Sequence, residues 1–262
     1  MRIRRLGYAG IEIEASGEII VIDLLTDTSK LSVLREPAEV FPSPSQPSAA
    51  MLALVTHLHV DHADPNGIAQ ALRKGGTILR PRHADGDPLS HVSTGRAESG
   101  FLENALDQKI LREWETVDAA PFHIIAVPAV DGLGDPQISW VIEADGKRIF
   151  HGGDTMFHGY WWEILRRCGS IDAAFLPVNG MVVNLPHLQP PSSLAAVMDP
   201  LQAAVAARIL NPSRAIPIHY GSIHKPPRLS EIDQAPERFR SEGESLGVTI
   251  QLVKVGEWID GF

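Results

Sequence analysis

Thr56-His57-Leu58-His59-Val60-Asp61-His62 places three imidazoles and a carboxylate within six residues. The apolar run before it, Met51-Leu52-Ala53-Leu54-Val55, reads as a buried strand. Asp64 and Pro65 follow in the order of a helix N-cap and first helical residue, so a helix is expected over 66–74, stopped by Gly75-Gly76. The cluster therefore occupies a short loop at the C-terminal end of a core strand, where open α/β sheets place ligand sites.

His57 and His59 are two apart, so in an extended turn both imidazoles can face one metal ion. Asp61 continues that alternation and His62 breaks it to the other side, so one loop can feed two neighbouring metal positions. Neutral imidazole with carboxylate suits Zn²⁺, with Mn²⁺ or Fe²⁺ as alternatives. The run holds no Lys, Arg or Glu, which separates it from an ordinary solvated loop.

Composition sets outer bounds. A chain of 262 residues with 44% hydrophobic and 21% charged residues is globular and can bury a full core. No apolar stretch approaches the ~20 residues of a membrane span. Met1-Arg2-Ile3-Arg4-Arg5 is basic, but no apolar signal region follows it, and Cys168 is the single cysteine; both fit a reducing cytoplasm. The net charge of −9 disfavours a nucleic-acid partner.

Outward from the histidine loop, Ile11–Glu14 alternates as a half-buried strand, and Ile19–Ile22 returns as a buried one ending at Asp23. Residues 37–48, with Pro37, Pro42, Pro44 and Pro47, form a surface loop, since a strand resumes at once. Thr77–Leu79 is a short strand and 83–100 is loop-like; 103–113 fits a helix or a strand with a turn. Phe122–Val127 is a strand, and Ile138–Glu143 and Arg148–Phe150 form a hairpin about Ala144-Asp145-Gly146. Strands follow at 173–177, 215–218 and 248–253, helices at 200–210 and about 231–245, and an irregular Pro-rich stretch at 180–200. The order is that of an α/β protein, one domain over 1–262 with two similar halves near 1–130 and 131–262, although no sequence repeat links them.

Three later strands also end in a potential ligand: Asp131, Asp154 and His219. Before Asp154, Gly152 and Gly153 let the backbone come close to a site. Thr-His-x-His-x-Asp-His at 56–62, Gly-Gly-Asp-Thr at 152–155 and Ile-Pro-Ile-His-Tyr-Gly at 216–221 together resemble the metallo-β-lactamase superfamily. The last motif looks most like the branch of metal-dependent hydrolases that includes the ascorbate-6-phosphate lactonase. The resemblance runs from about residue 6 to 257. It implies an αββα four-layer sandwich, two β-sheets flanked by helices, with a dinuclear site at one edge. It implies that His57 and His59 hold a first divalent ion and that Asp61, His62 and His219 hold a second, with Asp154 bridging. Asp61 is then also the catalytic carboxylate. The implied reaction is attack of a metal-bound hydroxide on a small, anionic ester, lactone or phosphoester. One departure stands out. The family usually gives the first ion a third histidine, where this chain has Val130-Asp131-Gly132. Either Asp131 replaces it, or the first ion is weak or absent.

Other histidines carry less. His123 is a packing residue, His151 a support for the Asp154 loop, His158 a pocket-rim or packing residue, and His83 and His91 surface residues. His187, in the Pro-rich stretch, is a candidate substrate contact on a lid. After His219, the chain gathers Tyr220, His224, Lys225 and Arg228 without an acid, so this segment either binds an anionic substrate or is a solvated basic loop. Competing functions are a nuclease or RNA-processing phosphodiesterase, disfavoured by charge, and a non-catalytic metal-binding sensor, favoured by the absent histidine. A redox di-iron role is disfavoured by His59, where such proteins tend to carry glutamate, and β-lactam hydrolysis by the absence of a secretion signal. The expected partner is a small molecule, with neither nucleic acid nor membrane, and self-association is open.

Overall fold

The computed structural model describes residues 1–28, 31, 40–86, 88–92 and 94–261; Pro37 of the proline-rich stretch lies outside them. The chain opens as an antiparallel meander of β1 (Arg2–Arg5), β2 (Ile11–Ala15) and β3 (Glu18–Ile22). Pairing then turns parallel through β4 (Ala50–Leu54), β5 (Leu72–Arg80) and β6 (Asp107–Ile110). Helices α1 (Pro65–Ala71) and α2 (Gly95–Glu103) make the last two crossovers. A second sheet begins with β7 (Thr116–Ala119), β8 (Phe122–Pro128), β9 (Ile138–Ala144) and β10 (Lys147–His151), all antiparallel neighbours. After α3 (Trp161–Cys168), β11 (Ala173–Pro177) joins parallel to β10. The short β12 (Val182–Val183) and α4 (Pro200–Leu210) precede β13 (Arg214–Ile218), which is parallel to β11. Finally β14 (Leu229–Ser230) pairs with β12, α5 (Ala235–Ser245) packs behind, and β15 (Trp258–Ile259) returns to β1.

Strand alternation builds the layers. Ile20 and Ile22 of β3 face the second sheet, where Trp140, Ile142 and Phe175 meet them. Ile19 and Val21, one residue out of phase, face α1 and α2 through Ile68 and Phe101. On the far side Val141, Ala174 and Leu176 face α3, α4 and α5 through Trp161, Ala203 and Phe239. This is the expected α/β four-layer sandwich of two sheets flanked by helices. The division expected near residue 130 falls inside the second sheet, between β8 and β9; the chain changes sheets between Ile110 and Thr116.

Several local expectations are corrected. The first helix ends at Ala71, and Gly75-Gly76 lie inside β5. The register between β4 and β5 shifts between Ala50 and Leu52, and Gly75 takes φ +77°, so the glycines shape a bulge and do not stop a helix. The 83–100 stretch contains the start of α2, whose buried Ala97 and Phe101 are spaced one helical turn apart. Residues 248–253 form no strand and make only an isolated bridge, Ala215 to Ile250.

Gly132, just past β8, lies against the backbone of Ala196. A methyl group there would stand 2.1 Å from the Ala196 carbonyl oxygen and 2.5 Å from its Cα, and backbone cannot yield as a flexible side chain does. Gly132→Ala should therefore cost about 1–3 kcal/mol, the range for overpacking, and lower Tm by several degrees in thermal denaturation. An unchanged Tm would show that the segment moves aside freely.

Candidate metal centre

Four strand ends bring the site together. The loop after β4 carries His57, His59, Asp61 and His62; β8 leads to Asp131, β10 to Asp154 and β13 to His219. Ligand-type atoms of His57, His59, Asp131 and Asp154 lie within 4.8 Å of one another, and those of Asp61, His62 and His219 form a second such group. Asp154 joins the two groups. Its Oδ2 is 3.5 Å from His57 Nε2 and 3.9 Å from both His62 Nε2 and His219 Nε2. All seven residues are brought together as the motifs suggested, with Asp131 where the usual histidine is missing.

Hydrogen bonding fixes which imidazole nitrogen faces inward. Asp23, fully buried, accepts from Thr56 N–H at 2.8 Å, from the Thr56 hydroxyl at 2.7 Å and from His62 Nδ1 at 2.7 Å. Thr56 Oγ1, having spent its hydrogen on Asp23, accepts from His57 Nδ1 at 3.2 Å. The Nε2 atoms of His57 and His62 are thereby left bare toward the centre. On the other side, His59 Nε2 bonds to Asp135 Oδ2 at 2.7 Å, and its Nδ1 faces Asp131 Oδ2 at 3.9 Å. Asp131 Oδ1 is held by the N–H groups of Leu133 and Asp135. His151 does support the Asp154 loop: its Nδ1 accepts from Gly153 N–H and its Nε2 donates to the Ala9 carbonyl.

Whether a divalent ion fits can be judged from what remains unpaired. His57 Nε2, His62 Nε2, His219 Nε2 and Asp154 Oδ1 are buried with no hydrogen-bond partner. Buried polar atoms are normally satisfied, so four convergent bare lone pairs match the donor set of a metal centre.

The description "Beta-lactamase superfamily domain" matches residues 20–220. This chain belongs to the metallo-β-lactamase superfamily. It is a metal-dependent hydrolase of that fold. It is similar to the UPF0173 metal-dependent hydrolase TK0141 of Thermococcus kodakarensis, 29% identical across 95% of this chain and 96% of that protein. A second relative, MK1542 of Methanopyrus kandleri, is 27% identical across 97% and 96%. Among solved structures, the metallo hydrolase Igni18 of Ignicoccus hospitalis superposes with TM-score 0.66 at 20% identity, over 98% of this chain and 97% of that one.

In this superfamily member the charges show what the centre demands. Burial alone would depress both His59 and His62. The Asp135 hydrogen bond and Asp131 instead push His59 up to about 9, and Asp23 and Asp61 push His62 up to about 10. Burial holds His219 down to about 4 and His57 well below the usual imidazole range. Burial also raises Asp154, with Asp131 and Asp61 adding to it. The crowd of carboxylates thus favours positive charge at two of the imidazoles, and divalent ions on their inward nitrogens would supply that charge in place of protons.

Above the centre lies a cavity of about 490 Å³ with His59, Asp61, Asp131, Asp154 and His219 at its floor and walls that include Val60, Met181, Val197 and Ile223; His57 and His62 lie buried beneath it. His187, from the Pro-rich stretch, is among its lining residues. The basic segment is not brought there. Tyr220 lies in a separate surface depression, its ring 4.4 Å from the Arg5 guanidinium. His224 Nδ1 accepts from Glu231 N–H, and Lys225 and Arg228 are exposed. The β12–β14 pairing brings Val183 and Leu229 to the cavity wall, and Ile223 joins them, while the basic residues of the segment lie outside the lining.

Asp23 and Asp135 were missed in the sequence. Asp23 is a strand-end acid like Asp131 and Asp154, and that signal was available; nothing local marks Asp135. Each orients a histidine from behind, so Asp23→Ala and Asp135→Ala should each weaken zinc affinity roughly 10–100-fold, measured by competition with a chelator. Unchanged affinity in both would show that neither carboxylate orients its histidine.

Proposed function

We propose that this hydrolase uses two divalent ions, zinc or manganese, to cleave a small ester, lactone or phosphoester with water. The lactonase branch that the 216–221 motif resembles is one member of that class. The observation that carries the reading is Asp154, lying between two groups of inward-facing ligand-type atoms at the floor of a largely apolar cavity. Bound there, two ions would supply Lewis acidity and lower the pKa of water. The chain's own part is to hold the centre and the substrate. His57, His59, Asp131 and Asp154 would hold one ion; Asp61, His62, His219 and Asp154 the other. The apolar walls would seat the non-reacting part of the substrate and exclude bulk water.

Purified protein should carry about two divalent ions per chain by elemental analysis, and Asp131→Ala should lose about one of them while Asp131→His keeps both. Full occupancy and activity in Asp131→Ala would remove Asp131 from the ligand set. In a single turnover, oxygen-18 water should label the product, and a trapped acyl- or phosphoryl-enzyme would contradict the reading.

An anionic substrate group has one place to go. Among the described residues lining the cavity, Arg96 on α2 is the one lysine or arginine. Arg96→Ala should raise KM several-fold for an anionic ester and leave a neutral ester of the same shape nearly unchanged, whereas Lys225→Ala should affect neither. Equal effects on both esters would place the anion elsewhere.

A further inference from the structure

Tyr8, in the turn between β1 and β2, is 1% exposed, and its ring centroid lies 4.1 Å from that of His219. Its carbonyl also accepts from His219 N–H at 2.6 Å, so backbone and ring are held against the same histidine. The polarity of its hydroxyl is set by Asn179, which is fully buried just past β11. Met181 N–H donates to Asn179 Oδ1 at 3.3 Å, and this fixes which end of the amide is oxygen. Asn179 Nδ2 therefore donates to the Tyr8 hydroxyl oxygen at 3.0 Å. The phenol oxygen is an acceptor in that bond, so its own hydrogen remains to be given, and no acceptor among the described residues takes it. The residue lines the cavity beside Asp61, Asp154 and His219.

We propose that Tyr8 is a catalytic residue whose hydroxyl donates a hydrogen bond to the substrate oxygen that gains negative charge as water adds. No bond to Tyr8 forms or breaks. A phenol hydroxyl held in place by Asn179 is a fixed neutral donor, the property an oxyanion contact needs. The inference rests on the hydrolase reading above.

Inorganic phosphate is a suitable probe, because its oxygens stand in for the charged oxygen of the addition step. Zinc-loaded wild-type protein should bind phosphate by calorimetry. Tyr8→Phe should keep the same zinc content and Tm and bind phosphate about tenfold or more weakly, as expected for a lost hydrogen bond to a charged group. Asn179→Asp should weaken phosphate with the phenol still present, since a carboxylate there accepts the phenol hydrogen and turns it from the cavity. Equal phosphate affinity in wild type and Tyr8→Phe would overturn the proposal, as would zinc-loaded wild type that ignores phosphate. A wild-type chain that takes up no zinc would overturn the hydrolase reading itself, and this inference with it.

Discussion

The centre depends on one buried carboxylate. Asp23 ends β3 with φ +46° and no exposed surface, and it sits beside the β4 end because its own N–H bonds to the Leu54 carbonyl at 2.9 Å. An isolated charge there would be expensive, and the bonds from Thr56 N–H, Thr56 hydroxyl and His62 Nδ1 offset that cost. In making them Asp23 decides the direction of two imidazoles, His62 directly and His57 through the Thr56 hydroxyl. Remove it, and the bare nitrogens at the centre lose the reason they point inward.

The fold supplies the convergence and the chemistry follows. Parallel pairing of β3 with β4 and of β10, β11 and β13 puts the C-terminal ends of strands from both sheets at one edge. Each end contributes acids or imidazoles, and the local excess of carboxylate pushes His59 and His62 toward their protonated forms. Such a cluster is costly without a cation to share, which is why its geometry reads as a receptor for ions and not as a stabilising network. Apolar residues from the β12–β14 pair and the 195–198 segment line the cavity above it, which strengthens electrostatic contacts at the floor.

Much of this was legible in the residues and some was not, for definite reasons. The ligand loop could be read because its chemistry is dense and local, and its neighbours ended strands whose apolar runs were plain. The place of Asp131 in the cluster could be read because it follows a strand end. Asp135 and Tyr8 could not: Asp135 meets His59 across 76 positions and Tyr8 meets Asn179 across 171. The basic run after His219 misled because composition carries no direction. A two-residue strand pair, invisible to periodicity, puts Leu229 in the cavity wall, and Lys225 and Arg228 beside it are exposed. Gly75-Gly76 misled because a glycine pair serves a bulge as well as a helix end.

The central claim is that Asp154 is shared by two ions, one on each side of it. Anomalous diffraction from zinc-loaded crystals tests it most directly. Two peaks about 3.5–4 Å apart, the spacing of two-metal sites, should flank the Asp154 carboxylate, one beside His57, His59 and Asp131 and the other beside Asp61, His62 and His219. A single peak, or ions bound away from Asp154, would contradict the account.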